Sequence, residues 1–415
     1  MGIAMSEPHL STESANRAPL RFGEFVTLIA SMMALTALGI DSMLPALPAI
    51  GDSLDVAEPN HRQFVITAFL LGFAFAQLVY GPLSDRFGRR PVLVIALISY
   101  VLTSALAAIS GSFELLLIAR AAMGASAAGA RVVTVALVRD CFAGRAMARV
   151  MSLAFIVFMA APVFAPAFGQ AVLAAGGSWR VIFWGVGGVS ALVVAWFWLR
   201  MPETLSADSR QSLRPARIVA DYGLVLRDRY AVGYTIAAAL LSGGLFGFIG
   251  SVQQIMADVF GRPELLTLVF ATVAGTMAIG SFLNSRIVMR IGTRRISHTA
   301  LSALILFAAL HLAIAFSGHE TLWSFAILQA LMMASFGLAT SNFSAMAMER
   351  MGEIAGTASS LQGFVATMGG AVIGAQIGQS FDGTTVPLYT GFVAVGVLAF
   401  VAVAIAEKGR LFRPS

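Results

Sequence analysis

Apolar stretches of spanning length recur twelve times along the chain, at 22–47, 63–82, 91–110, 114–137, 149–173, 179–200, 230–257, 265–285, 297–317, 321–343, 355–380 and 387–406. A helix needs ~20 apolar residues to cross a bilayer core, and each stretch supplies about that number. The runs are continuous rather than alternating, which excludes a barrel of short transmembrane strands. The longest polar segment, 201–229, holds Pro202 and Pro215 and divides the spans six and six. The pattern therefore predicts a cytoplasmic tail at 1–21, a six-helix bundle at 22–200 and a cytoplasmic loop at 201–229. A second six-helix bundle at 230–406 and a cytoplasmic tail at 407–415 complete it.

Composition narrows the class. Of 415 residues, 58% are hydrophobic and 12% charged, against about 45–50% and about 25% in soluble proteins. One soluble domain has no interior large enough for so much apolar surface, so the chain reads as an all-α polytopic membrane protein. Lys408 is the sole lysine, which leaves no Gly-Lys-Ser/Thr for a phosphate-binding loop. Cys141 is the sole cysteine and the five histidines lack metal-ligand spacing. No metal and no cofactor are expected, and no nucleophile, base and metal set can be assembled for an enzyme.

The net charge of +6 would suit nucleic acid, but its placement serves orientation instead. When the spans are threaded from the inside, 22 of the 27 basic residues fall in the tails and on one set of loops. The opposite loops carry Arg62, Arg180 and Arg262, and Arg120 and Arg131 lie within spans. Basic residues gather on the cytoplasmic side, so both termini are expected there. A weak repeat joins the halves. Arg86, Gly88, Arg89 and Arg90 follow span 2, and Arg290, Gly292, Arg294 and Arg295 follow span 8, 204 residues on from Gly88 to Gly292. A duplicated six-helix unit with its substrate site between the halves is the architecture this implies.

Ionisable groups within spans are the sharpest chemical signal, because each costs ~2.5–3.5 kcal/mol at the helix centre. Asp41 in span 1 and Arg120 in span 4 reach similar depth, at 1.5 Å per residue along antiparallel helices. Burial favours a neutral carboxyl and a neighbouring guanidinium favours the anion. A carboxylate balanced between the two can load and release a proton as a cavity opens to either side. On the alternative reading Asp41 only caps a helix end before Pro45 and Pro48, and Arg120 makes a fixed structural pair. Arg131, nearer the inner end of span 4, is read as snorkelling.

The run GPLSDRFGRR at 81–90 is a second signal. Gly81 and Gly88 permit a tight turn, Arg86, Arg89 and Arg90 hold the loop inside, and Asp85 is suited to the positive N-terminus of a neighbouring helix. Together they suggest a cytoplasmic gate that Arg139 and Asp140 could join. Small residues that let helices approach closely include Gly370, Gly374 and Gly378 in span 11. Span 5 adds Pro162, Pro166 and Gly169, with the prolines expected to bend it. Candidate cavity residues are Phe155, Phe158, Met159, Phe246, Phe248 and Phe336. The polar span residues Gln253, Gln254, Asn342 and Gln362 join them, since such groups face protein or water.

These residues resemble a known family. The run 81–90 is similar to the loop 2–3 signature of the major facilitator superfamily, G-x-x-x-D-R-x-G-R-R. Leu116, Arg120 and Gly124 resemble its span-4 motif, and Asp41, Pro45 and Pro48 its span-1 motif. With Val138 to Asp140 and Ser178 to Trp184, the segment 40–204 is similar to the Bcr/CflA drug-resistance subfamily. Met43 stands where that subfamily usually has tyrosine, and Met123 where the span-4 motif usually has glutamine.

The resemblance implies two pseudo-symmetric six-helix bundles, alternating access and proton-driven export of small drug-like compounds from a bacterial inner membrane. Asp41 and Arg120 would couple protons, Asp85, Arg86 and Arg89 would form the inner gate, and a monomer would suffice. Its partners are protons, a small-molecule substrate and the lipid bilayer, with no nucleic acid. A metabolite exporter on the same scaffold is one alternative, and a non-transporting membrane sensor another.

Overall fold

The computed structural model describes residues 19–142, 144–206, 208, 210 and 215–413. Most of the predicted N-terminal tail, 1–18, and the side chain of Met159 lie outside the described residues. Twelve of the helices are long and apolar enough to cross a membrane. Spans 1 to 6 are Phe22–Asp41, Phe64–Phe87, Arg89–Ala108, Phe113–Cys141, Gly144–Ala174 and Trp179–Arg200. Spans 7 to 12 are Arg229–Gln254, Leu266–Ile291, Thr293–Ser317, Leu322–Met348, Ala355–Gln379 and Val386–Ala406. A thirteenth helix, Pro215–Arg227, connects the two sets of six.

Local chemistry explains the boundaries. Ser112 caps span 4, Ser178 caps span 6 and Asp228 caps span 7, each accepting from backbone N–H groups that the helix leaves unpaired. Gly88 and Gly292 break the chain between spans 2 and 3 and between spans 8 and 9, at φ +100° and +91°. Only glycine adopts that backbone at low cost, so the repeat visible in sequence is a repeat of one corner. Pro45 and Pro48 end the regular helix of span 1 at Asp41, and the chain continues as a short 3-10 turn, Leu44–Ala46, and the helix Leu47–Ser53. Span 2 runs through Pro82 to Phe87, a turn beyond its apolar stretch. Span 5 is continuous helix through Pro162 and Pro166, where a bend is expected from sequence.

The two halves meet where span 2 packs on span 11 and span 5 on span 8. Between them lies a cavity of about 1480 Å³. Its mouth, lined by Asp85, Arg139, Asp221 and Met348, faces the arginine-rich end of the bundle. Its floor, near Ile40, Asp41, Leu70 and Phe270, lies toward the distal end.

Candidate functional site

Asp41 is the last residue of span 1, 5% exposed, and lines the floor of the cavity. Among the described residues its carboxyl has no hydrogen-bond or ion-pair partner. Arg120 reaches the same level, as the helix geometry requires, yet the two do not pair. The guanidinium is wholly buried outside the cavity lining, and donates to the Gly39 carbonyl at 2.8 Å and the Val65 carbonyl at 3.0 Å. Its Nη1 also meets the Met123 sulfur at 3.5 Å, and its carbon lies 4.7 Å from the Phe69 ring centroid. Arg120 is thus a brace tying spans 1, 2 and 4 together, and the expected cavity charge is not there. The physical reason lies in the close approach of span 1. Tyr100 donates to the Leu35 carbonyl, and a Cβ at Gly39 would collide with the Tyr100 hydroxyl. The Gly39 carbonyl therefore lies within reach of the guanidinium, while the carboxylate of Asp41, two residues on, turns to the cavity.

Arg131 holds the opposite position to its expected one. It does not snorkel to the helix end but lines the cavity with its side chain exposed there. Its guanidinium carbon lies 5.9 Å from the Phe73 ring and 6.0 Å from the Phe158 ring. Phe158, Phe246, Phe248 and Gln362 also line the cavity, and the Gln362 Nε2 is buried without a partner. Five other candidates do not reach it, among them Gln254, which lies beyond the floor. Phe155 is exposed on the outer surface of span 5, beside Phe158. Phe336 is packed in the core, and Asn342 pairs with Asn284 between spans 8 and 10, at 2.7 Å for its own donation. Gln253 lines a smaller distal pocket beside Gln170. These positions share the residue types of a cavity wall, but helix rotation turns them elsewhere.

At the mouth, Arg89 is the hub. Its Nη1 meets Asp85 at 2.5 Å and the Ser84 hydroxyl at 2.7 Å, and its Nε meets Asp140 at 2.8 Å. Asp85 therefore does not cap a neighbouring helix. The N-terminus of span 3 is capped by Glu203, whose carboxylate accepts from the backbone N–H groups of Arg89 at 2.9 Å and Arg90 at 3.2 Å. Gly88 leaves the room this needs, since a Cβ there would strike the Glu203 carboxylate. Arg90 donates to the Trp198 carbonyl, and Arg86 lies over Phe87. Arg139 lines the mouth with its side chain exposed and takes no part in the Asp140 pair. Every member of this cluster belongs to the first half. Gly81 alone faces the other half, where a Cβ would come 3.6 Å from the Ser360 hydroxyl.

The glycine stripe of span 11 is a line of close approaches, most of them within the second half. Cβ atoms at Gly370 and Gly374 would strike Phe246 of span 7, within the second half, while Gly378 faces Gln63 across the interface. Gly169 abuts the Ser42 carbonyl and Pro45, again within one half, and Pro162 lines the cavity while Pro166 is buried.

Beyond the floor, the halves are joined by amides. Gln63 donates to Gln254 at 2.5 Å and to the Gly378 carbonyl at 3.1 Å, and Gln254 donates to Asn60 at 2.8 Å. Asn60 donates to the carbonyls of Gln379 and Phe381, and Gln379 returns a bond to the Asn60 carbonyl. Gln170 bridges to the Pro263 carbonyl and Thr267. Of this clasp only Gln254 is singled out by sequence. The available signal was an uncharged amide near the distal end of an otherwise apolar span. Among the described residues no group of three His, Cys, Asp or Glu side chains is placed to hold a metal ion.

Comparison with known proteins bears on this arrangement. The chain is 32% identical over 387 residues to a bicyclomycin resistance protein homologue of Haemophilus influenzae, covering 91% of this chain and 95% of that protein. It is 31% identical over 292 residues to a chloramphenicol resistance protein of Pseudomonas aeruginosa, covering 69% and 67%. Among solved structures, a bacterial homologue of the human lysosomal transporter Spinster, inward-facing and occupied, superposes with a TM-score of 0.73 at 16% identity. That match covers 95% of this chain and 98% of the other. The xylose transporter XylE of E. coli, partially occluded and inward open, gives 0.71 at 14% identity, covering 92% and 96%. The family profile described as Major Facilitator Superfamily matches residues 29–375, and with the twelve spans and the cavity between two halves, the chain belongs to that superfamily.

Proposed function

We propose that this protein exports small drug-like or amphipathic compounds in exchange for protons, as a monomer in a bacterial inner membrane with both termini in the cytoplasm. The observation that carries the reading is Asp41: a carboxyl at the floor of the cavity, almost enclosed and with no partner among the described residues. The names of the resistance relatives support drugs as cargo, and the arginine-rich end supports the orientation. On this reading the cavity faces the cytoplasm, where substrate arrives as the proton leaves. Closure at that end and opening of the amide clasp then expose Asp41 to the outside, where it reloads. Asp85, at the mouth opposite Ala355 and Gly356, would meet the positive N-terminus of span 11 as the mouth closes. The drive per proton is ~2.3 kcal/mol per 100 mV, with ~1.4 kcal/mol per pH unit.

The test is efflux of a drug panel from an exporter-deficient host, with and without a protonophore, for wild type and Asp41→Asn. Efflux is expected to need the proton gradient and to vanish in Asp41→Asn at unchanged expression. Efflux by Asp41→Asn at the wild-type rate would remove the coupling role.

A further inference from the structure

Three arginines of the interior have partners, and Arg139, which has none among the described residues, stands in water at the mouth. Arg89 is held by Asp85 and Asp140, Arg120 by backbone carbonyls and Arg294 by Glu349 and Glu407. Arg131 differs: it is exposed to the cavity between Phe73 and Phe158, and among the described residues it makes no hydrogen bond and no ion pair. Asp41 lines the same cavity and is equally unpartnered. One wall, the first half, thus offers two opposite charges in one chamber, on different spans and not joined to each other.

Their separation follows from the register of spans 1 and 4. Arg120 donates to the Gly39 carbonyl and the Thr134 hydroxyl meets the Met32 sulfur at 3.7 Å. Arg131 sits between these two contacts, so its backbone lies on the order of 10 Å nearer the mouth than Asp41. A guanidinium in that place keeps its hydration while the cavity is open to water. When the mouth closes and water leaves, it needs a counter-charge, and the two rings beside it define a slot that suits an aromatic or apolar body next to that charge.

We propose that Arg131 is a specificity residue that seats an acidic group of the substrate, so that the favoured cargo is amphoteric: an amphiphile with an acid at Arg131 and a basic nitrogen several ångströms away at Asp41. This rests on the export reading above. It is also consistent with exchange, because the basic nitrogen and the proton compete for the same carboxylate while the acid stays anchored. The guanidinium offers two parallel donors to a carboxylate.

The test uses proteoliposomes with an imposed pH gradient and three fluorescent probes on one skeleton: Nα-dansyl-lysine, its carboxamide, and its Nε-acetyl derivative. Wild type is expected to show its lowest KM for the zwitterion. Arg131→Gln should raise that KM at least tenfold, about 1.4 kcal/mol, and leave KM for the cationic carboxamide unchanged. Arg131→Lys should fall between, keeping the charge but not the planar fork. Equal effects of Arg131→Gln on zwitterion and carboxamide would overturn the assignment, as would a wild-type preference for the carboxamide or failure to move any of the three. If Arg131→Gln does not fold, the ratio of the two KM values in Arg131→Lys decides. Movement that ignores the gradient would instead overturn proton-driven export, and the KM ratio would still judge the amphoteric seat.

Discussion

The two ends of the cavity are built from different chemistry. At the arginine-rich end, charges cluster into pairs, and each pair stays within its own half: Arg89 with Asp85 and Asp140 in the first, Arg294 with Glu349 and Glu407 in the second. At the distal end the halves touch through Asn60, Gln63, Gln170, Gln254, Thr267 and Gln379, all uncharged. Among the described residues no ion pair joins the two halves. The difference follows from what must be remade in a carrier that alternates. An ion pair broken and re-formed across an interface desolvates two charges each time, which costs several kcal/mol per ion. An amide contact exchanges one hydrogen bond for another with water, a net change of about 0.5–1.5 kcal/mol. Charges therefore stiffen each half, and neutral groups hold the contact that opens.

The comparison can be broken most severely at Gly378. A Cβ there would collide with the Gln63 side chain, so Gly378→Val should keep the distal clasp from closing and lower transport more than tenfold. Labelling of Ile40→Cys by a water-soluble thiol reagent, in a Cys141→Ala background, should rise from the distal side. Arg89→Ala comes next. It strands Asp85 and Asp140 and should cost about 3 kcal/mol, the low end for a broken buried pair because Asp85 is partly exposed, read as earlier thermal unfolding in detergent with no change in distal labelling. Gln63→Glu removes the amide donor at a clasp position that is 3% exposed; closing should cost about 2 kcal/mol, read as a shift toward distal labelling. Glu203→Ala removes the cap of span 3 and should cost about 1 kcal/mol, seen in thermal unfolding alone. A thermal loss in Gln63→Glu as large as that in Arg89→Ala would dissolve the distinction between stiffening and gating.

Much of the architecture is legible in the amino-acid sequence. The twelve spans, the division at 201–229 and the repeated glycine corner follow from apolar runs and spacing, because a bilayer forces each crossing to declare itself in about 20 residues. The ionic hub is partly legible: its arginines and aspartates stand out in the run 81–90 and at 139–140, though their pairing does not. Arg139 and Asp140 are neighbours in sequence, yet successive helix positions point about 100° apart, and Asp140 turns to Arg89 instead.

The arginines within span 4 mark the boundary. Their identity and depth are sequence properties, and so is the cost of keeping either in a membrane. Sequence alone places Arg120 in the cavity and has Arg131 snorkelling at the inner end of span 4, whereas Arg120 is buried in the bundle and Arg131 lines the cavity. Eleven residues separate the two, which at about 100° per residue returns them to nearly the same helix face, so periodicity cannot tell them apart. What separates them is what lies opposite. The Gly39 carbonyl and the Phe69 ring close over Arg120 where spans 1, 2 and 4 converge, and the same helices have diverged into the cavity by the level of Arg131. The sequence by itself determined how many helices cross the membrane and which charges they carry inside it. Only the packing of one helix against another decided which of those charges is braced and which is free to meet a substrate.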